Sequence, residues 1–128
     1  MGQVYYEFFR LGLNNKKLWT IRDAGGYPAP KNAEGKRAMP FWSTRERVEK
    51  VIKNVPAYHG FEPKEVPLEE FLSYWIPELM KDGTLVGIEW SGPKAKGVDL
   101  EPGRADTTVL YRNSRPQPEK FHVRLRTR

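Results

Sequence analysis

The chain of 128 residues has no cysteine, only two histidines, and no apolar run near the roughly 20 residues that cross a bilayer. Without cysteine there is no disulfide framework, no thiolate zinc site and no thiol catalysis, which fits a reducing cytoplasmic setting. The opening MGQVYYEFFRLGL lacks a basic leader, a long apolar segment and a small-residue cleavage site, so no secretory signal is read. Tyr6 stands where N-myristoylation wants Ser or Thr. The glycines form neither G-x-G-x-x-G nor G-x-x-x-x-G-K-[ST], so no dinucleotide or phosphate cradle is indicated. His59 and His122 have no metal-ligand spacing and sit in no nucleophile motif. No cofactor and no metal are expected, and an enzyme is unsupported by any motif.

Charge is present, and it is unevenly placed. Of a net +6, the segment from residue 112 to 128 holds +5: Arg112, Arg115, Lys120, Arg124, Arg126 and Arg128 against Glu119 alone. Residues 1–111 carry the remaining +1, so the body is nearly neutral. With 38% hydrophobic residues, the chain is long enough to bury a core in one domain spanning 1–128.

Periodicity supplies the elements. Val4, Tyr5, Phe8 and Leu11 follow a helical repeat that should end at Gly12 and Asn14-Asn15. KLWTIRD reads as a strand, Gly25-Gly26 as a turn, Tyr27 to Arg37 as a surface loop, and Ala38 to Trp42 as a short strand. Ser43 and Glu46 have capping-box spacing ahead of a helix whose apolar face is Val48, Val51, Ile52 and Val55. Pro56 stops it. A second strong helix runs from Pro67 to Gly83 on the stripe Leu68, Phe71, Leu72, Trp75, Ile76 and Leu79; Pro77 lies inside it and should kink or divide it. TLVGIEW is a strand with Val86, Ile88 and Trp90 on one face, and GVDLEP a shorter one. Residues 102–111 read equally as helix or strand. In the closing EKFHVRLRTR, Phe121, Val123 and Leu125 alternate with basic residues, the pattern of a half-buried edge strand.

The ordered segments KLWTIRDAGGY, MPFWSTRERVEKV, GFEPKEVPLEEFLSYWIPELMKDGTLVGIEW and GVDLEP resemble a small bacterial, mainly proteobacterial, family catalogued as a domain of unknown function. Its pattern has W-x-L, PVW, G-Y-x-P, W-L-P, D-G and V-x-x-P motifs. The resemblance covers about Tyr5 to Tyr111 and leaves the basic extension 112–128 outside. It implies a bacterial cytoplasmic setting and one domain, and it implies no activity.

The fold expected is α+β: a small, mostly antiparallel sheet with the two main helices on one face and the C-terminal strand at an edge. Sixteen aromatic residues exceed what a core of this size demands, so some should serve as interface anchors. Tyr27 with Phe41 and Trp42 flanks the long loop, which makes these the candidate protein-binding residues. The leading expectation is a non-enzymatic protein-binding module, an adaptor or protective partner of another protein. The alternative is weak nucleic-acid binding through the basic strand, with Arg112, Arg115, Lys120, Arg124, Arg126 and Arg128 on phosphates. A third class, hydrolase or transferase, would need His59, Asp99 and Glu101 to converge. No membrane partner is expected.

Overall fold

The computed structural model describes residues 3–105. Helix α1 (Gln3–Asn15) leads into strand β1 (Lys17–Arg22), and β2 (Ala38–Phe41) follows the long loop. Helix α2 (Arg45–Asn54), a 3-10 turn at Pro56–Tyr58 and strand β3 (Glu62–Pro67) come next. Helix α3 (residues 68–82), β4 (Leu85–Ser91), β5 (Lys96–Leu100) and a 3-10 turn at Pro102–Ala105 complete the described part. No helix among the described residues is long and apolar enough to cross a membrane.

The strands form two small sheets, antiparallel β1-β3 and mixed β2-β4-β5, in which β2 and β4 run parallel and β4 and β5 antiparallel. Reciprocal backbone bonds of 2.8 and 2.7 Å between Trp19 and Trp42 join the two sheets. The fold is therefore α+β with mostly antiparallel pairing, as the pattern predicts.

The helices, however, do not share one face. Side chains alternate across a strand, so Met39, Phe41, Val86 and Ile88 point to one side, where they pack with Phe8, Phe9, Phe71, Trp75 and Leu79 of α1 and α3. Ala38, Trp42, Leu85 and Trp90 belong to a second cluster with Val48, Val51 and Val55 of α2. Each helix has one apolar stripe, and covering both sheet faces buries all three. The expected C-terminal strand lies outside the described residues, as do Arg112, Arg115, Lys120, Arg124, Arg126 and Arg128.

Local chemistry explains the helix boundaries and irregularities. Helix α1 passes Gly12 and ends at the Asn14-Asn15 pair, as the sequence predicts, and a Cβ at Gly12 would stand 2.8 Å from Leu18 Cδ2, so glycine lets α1 lie against β1. The N-cap of α2 is Thr44, whose hydroxyl accepts from the Arg47 amide at 3.2 Å, because Ser43 is committed to Glu89. Next to Pro77 the regular α-helical spacing of α3 is interrupted. Proline cannot donate to the Ser73 carbonyl, and the preceding turn Phe71–Trp75 widens to π-helical spacing, with the Ile76 amide reaching Phe71 O. Gly83 ends α3 at φ +69°, as its position predicts.

In urea unfolding, Phe41→Ala should cost roughly 3–5 kcal/mol, as for a fully enclosed aromatic. Thr44→Ala should cost roughly 1 kcal/mol, the loss of one helix cap.

Candidate functional site

The site grows from an irregularity at the end of β4. Glu89 has φ +54°, a left-handed backbone that a residue with a Cβ seldom adopts, and the β4-β5 register shifts between Ile88 and Ser91. That bulge breaks the alternation of TLVGIEW. Val86 and Ile88 stay with the α1 and α3 core, whereas Trp90 turns to the α2 side, which corrects its predicted placement beside them.

Two glycines receive the indole. A Cβ at Gly87 would stand 2.4 Å from Trp90 Cζ2, and one at Gly97 would stand 2.6 Å from Trp90 Cδ1 and 2.5 Å from Ile88 O. Lying across them, the ring donates from Nε1 to Asp99 Oδ1 at 3.0 Å, while Asn32 Nδ2 donates to Asp99 Oδ2 at 3.2 Å. The Trp42 indole fixes the same segment from below, donating to Trp90 O at 2.7 Å.

Over this ring runs a groove of about 470 Å³ between the Tyr27 to Arg37 loop and the β4-β5 hairpin. Lys31, Lys94 and Lys96 stand on it, Tyr58 and Trp90 supply aromatic surface, and Asp99 is its one carboxylate. Burial pushes the Tyr58 phenol up from its ordinary value, which keeps it neutral.

The opposite side of Trp90 borders a second depression of about 420 Å³, shared with Val4, Arg47, Lys50, Asn54 and Glu89. The Glu89 side chain is 4% exposed, and burying such a charge is costly unless it is paired. The Ser43 amide donates to its Oε1 at 2.9 Å, the Ser43 hydroxyl to Oε2 at 2.6 Å, and Arg47 Nη1 also to Oε2. Arg47 Nη2 reaches Glu7 Oε1 at 2.7 Å, so one guanidinium ties α1, α2 and β4 together. Burial opposes the charge on Arg47, but the hydrogen bond to Glu7 and the charges of Glu89 and Glu7 outweigh it and raise its pKa. The Arg47 hydrogen bond and charge hold the Glu7 carboxyl below its ordinary value.

The structure separates the residues singled out in the sequence. Phe41 and Trp42 are fully buried, one on each side of β2, so neither is an interface anchor. Consecutive strand residues face opposite ways, and here both faces are covered. Tyr27 is half-buried, its ring 4.9 Å from that of Trp75, and it pins the start of the loop to α3. His59 is exposed, with Nε2 3.0 Å from Lys53 O at the end of α2. Glu101 is exposed beyond β5, and of His59, Asp99 and Glu101 only Asp99 lines the groove. Among the described residues no group of three or more His, Asp or Glu stands where it could hold a metal ion. Glu89, Trp90 and Tyr58 were not legible as site residues. The signals were Gly87 and Gly97, which leave room for an indole only once the bulge is known.

Gly87→Ala should expel the Trp90 ring, break its bond to Asp99 and cost roughly 1–3 kcal/mol. The Trp90 indole N–H resonance would then move and exchange faster with water; an unmoved resonance would place the ring elsewhere. A second expectation concerns acid. Glu7 is lowered below its ordinary 4.5, so its pairing with Arg47 stabilises the fold above that value and is lost as pH falls through the lowered one. Glu7→Gln should flatten that acid limb in urea midpoints measured against pH.

Among solved structures, that of Anabaena Tic22 (protein transport) is similar at a TM-score of 0.40 and 14% identity, over 91% of this chain and 56% of that one. This chain thus spans little more than half the length of that structure. No curated protein matches it. A family model does: the model of the proteins of unknown function DUF2750 matches residues 5–107, most of the chain and nearly the span of the ordered motifs, and the chain belongs to that family.

Proposed function

We propose that this domain is a non-enzymatic binding module that holds another protein in the groove between the Tyr27 to Arg37 loop and the β4-β5 hairpin. The observation that carries this reading is the groove itself. It is about 470 Å³, has an aromatic floor held in place by hydrogen bonds, and has a rim of long polar side chains. Binding surfaces combine a rigid aromatic base with a polar rim in this way. The loop is fixed as well: Asn32 Oδ1 accepts from the Glu34 and Lys36 amides, and its Nδ2 reaches Asp99. A partner would therefore meet a preformed wall at little ordering cost. The groove's carboxylate is occupied in orienting Trp90, a positioning role that needs no reaction. A chain without cysteine suits the cytoplasmic setting of such an adaptor or protective partner.

The net +5 of residues 112–128 supports a second reading, nucleic-acid binding through that segment. Truncation after Asn113 would then abolish a salt-sensitive retention on DNA or RNA.

A photo-crosslinking side chain at Ala33 or Ala95, on the groove, should trap one partner in cells, and the same group at Tyr6, exposed on α1, should not. Ala33→Trp, which fills the groove, should remove the Ala95 crosslink. Equal trapping from Tyr6, or an Ala95 crosslink that survives Ala33→Trp, would sink the proposal.

A further inference from the structure

The chemistry of the groove narrows what it would hold. Lys31, Lys94 and Lys96 converge on it from two separate segments, the 27–37 loop and the β4-β5 hairpin. None of the three has an ion-pair partner among the described residues. Asp99, held at the floor by the Trp90 indole and the Asn32 amide, offsets only one of these three charges, so the groove stays positive. Other cations of the described residues also lack an ion pair, Lys50, Lys53 and Lys64 among them, so what sets Lys31, Lys94 and Lys96 apart is that all three line one groove.

Charges within about a Debye length of one another, about 8 Å at physiological salt, are only partly screened, and Lys31, Lys94 and Lys96 line one groove. The three ammonium groups therefore act on an occupant together. Each alone would be worth little, as exposed charges are. Three like charges with a single carboxylate among them repel one another, and an anionic occupant reduces that repulsion as well as gaining attraction.

We infer that the groove takes an acidic segment of a partner protein, with Asp or Glu carboxylates set among Lys31, Lys94 and Lys96. This rests on the groove being the binding surface. A protein segment fits better than a nucleic-acid strand because Tyr58 is 8% and Trp90 7% exposed, too little ring surface for a base to stack on. Lysine suits carboxylates held as point charges without a demand for bidentate geometry.

The test uses the full chain and an oligoglutamate peptide, read by the Trp90 indole N–H resonance. Oligoglutamate should shift that resonance, and added salt should weaken the effect. Combined Lys31→Glu, Lys94→Glu and Lys96→Glu should weaken it by roughly tenfold or more, whereas oligoglutamine should leave the resonance in place. Peptide held only by the basic extension would bind the triple variant as well as it binds the parent, and that outcome overturns the inference. An oligothymidylate that binds more tightly through the same lysines also overturns it, in favour of a phosphate backbone. If oligoglutamate moves nothing at low salt while Ala33→Trp still abolishes the Ala95 crosslink, the acidic occupant is wrong and the groove reading survives. If Ala33→Trp has no effect either, both fall.

Discussion

The left-handed turn of the backbone at Glu89 is the constraint on which most of this structure depends. A residue with a Cβ at φ +54° is held there only when its surroundings compensate. The compensation is visible: the Glu89 carboxylate, almost out of water, receives the Ser43 amide, the Ser43 hydroxyl and Arg47. Because Arg47 also holds Glu7, the same interaction places α1 and α2 against β4. The turn also sends Trp90 to the opposite face from Val86 and Ile88. One backbone angle thus sets both the ionic link between helices and the floor of the groove.

The indole then decides what surrounds it. Gly87 and Gly97 are small because the ring lies where their Cβ atoms would be, and Asp99 faces it because the indole N–H needs an acceptor when buried. Asn32 completes the carboxylate's partners and so brings the long loop over the hairpin. The groove is a by-product of satisfying these buried polar groups. Its lysines have no ion-pair partner among the described residues, and that difference between a satisfied floor and a charged rim is what the proposed acidic occupant rests on.

The aromatic excess has a different meaning from the one its number suggests. Trp19, Trp42, Trp75 and Trp90 are all buried, and Phe41 is fully enclosed, because the sheet is covered on both faces and so needs two cores. Two small cores need more large side chains than one, since each must fill its own layer at native density. Phe41 and Trp42 were candidate interface residues because they flank the long loop and adjacent strand residues face opposite ways, so that one of the two was expected at the surface. With two covered faces, adjacent strand residues both become core.

The sequence by itself determined the elements and their local limits. Helical and strand periods gave β1, β2, α2, α3, β4 and β5 nearly in place, Pro56 and Gly83 marked helix ends, and the Tyr27 to Arg37 loop was plain from its prolines and glycine. These are short-range effects, in which each residue's own conformational preference and its neighbours within a turn suffice. What followed from tertiary structure involved residues far apart in the chain. Ser43 was taken from its capping role by Glu89, 46 positions away, leaving Thr44 as the cap. Pro77 is accommodated by a turn widened to π-helical spacing, and the stripe of α3 stays on the core. Asp99 was legible as a polar strand residue, but only the folded chain gave it the indole of Trp90 and the amide of Asn32. Local preference is written in adjacent residues. Partners for buried charge and room for a large ring are decided only when distant segments compete for the same space.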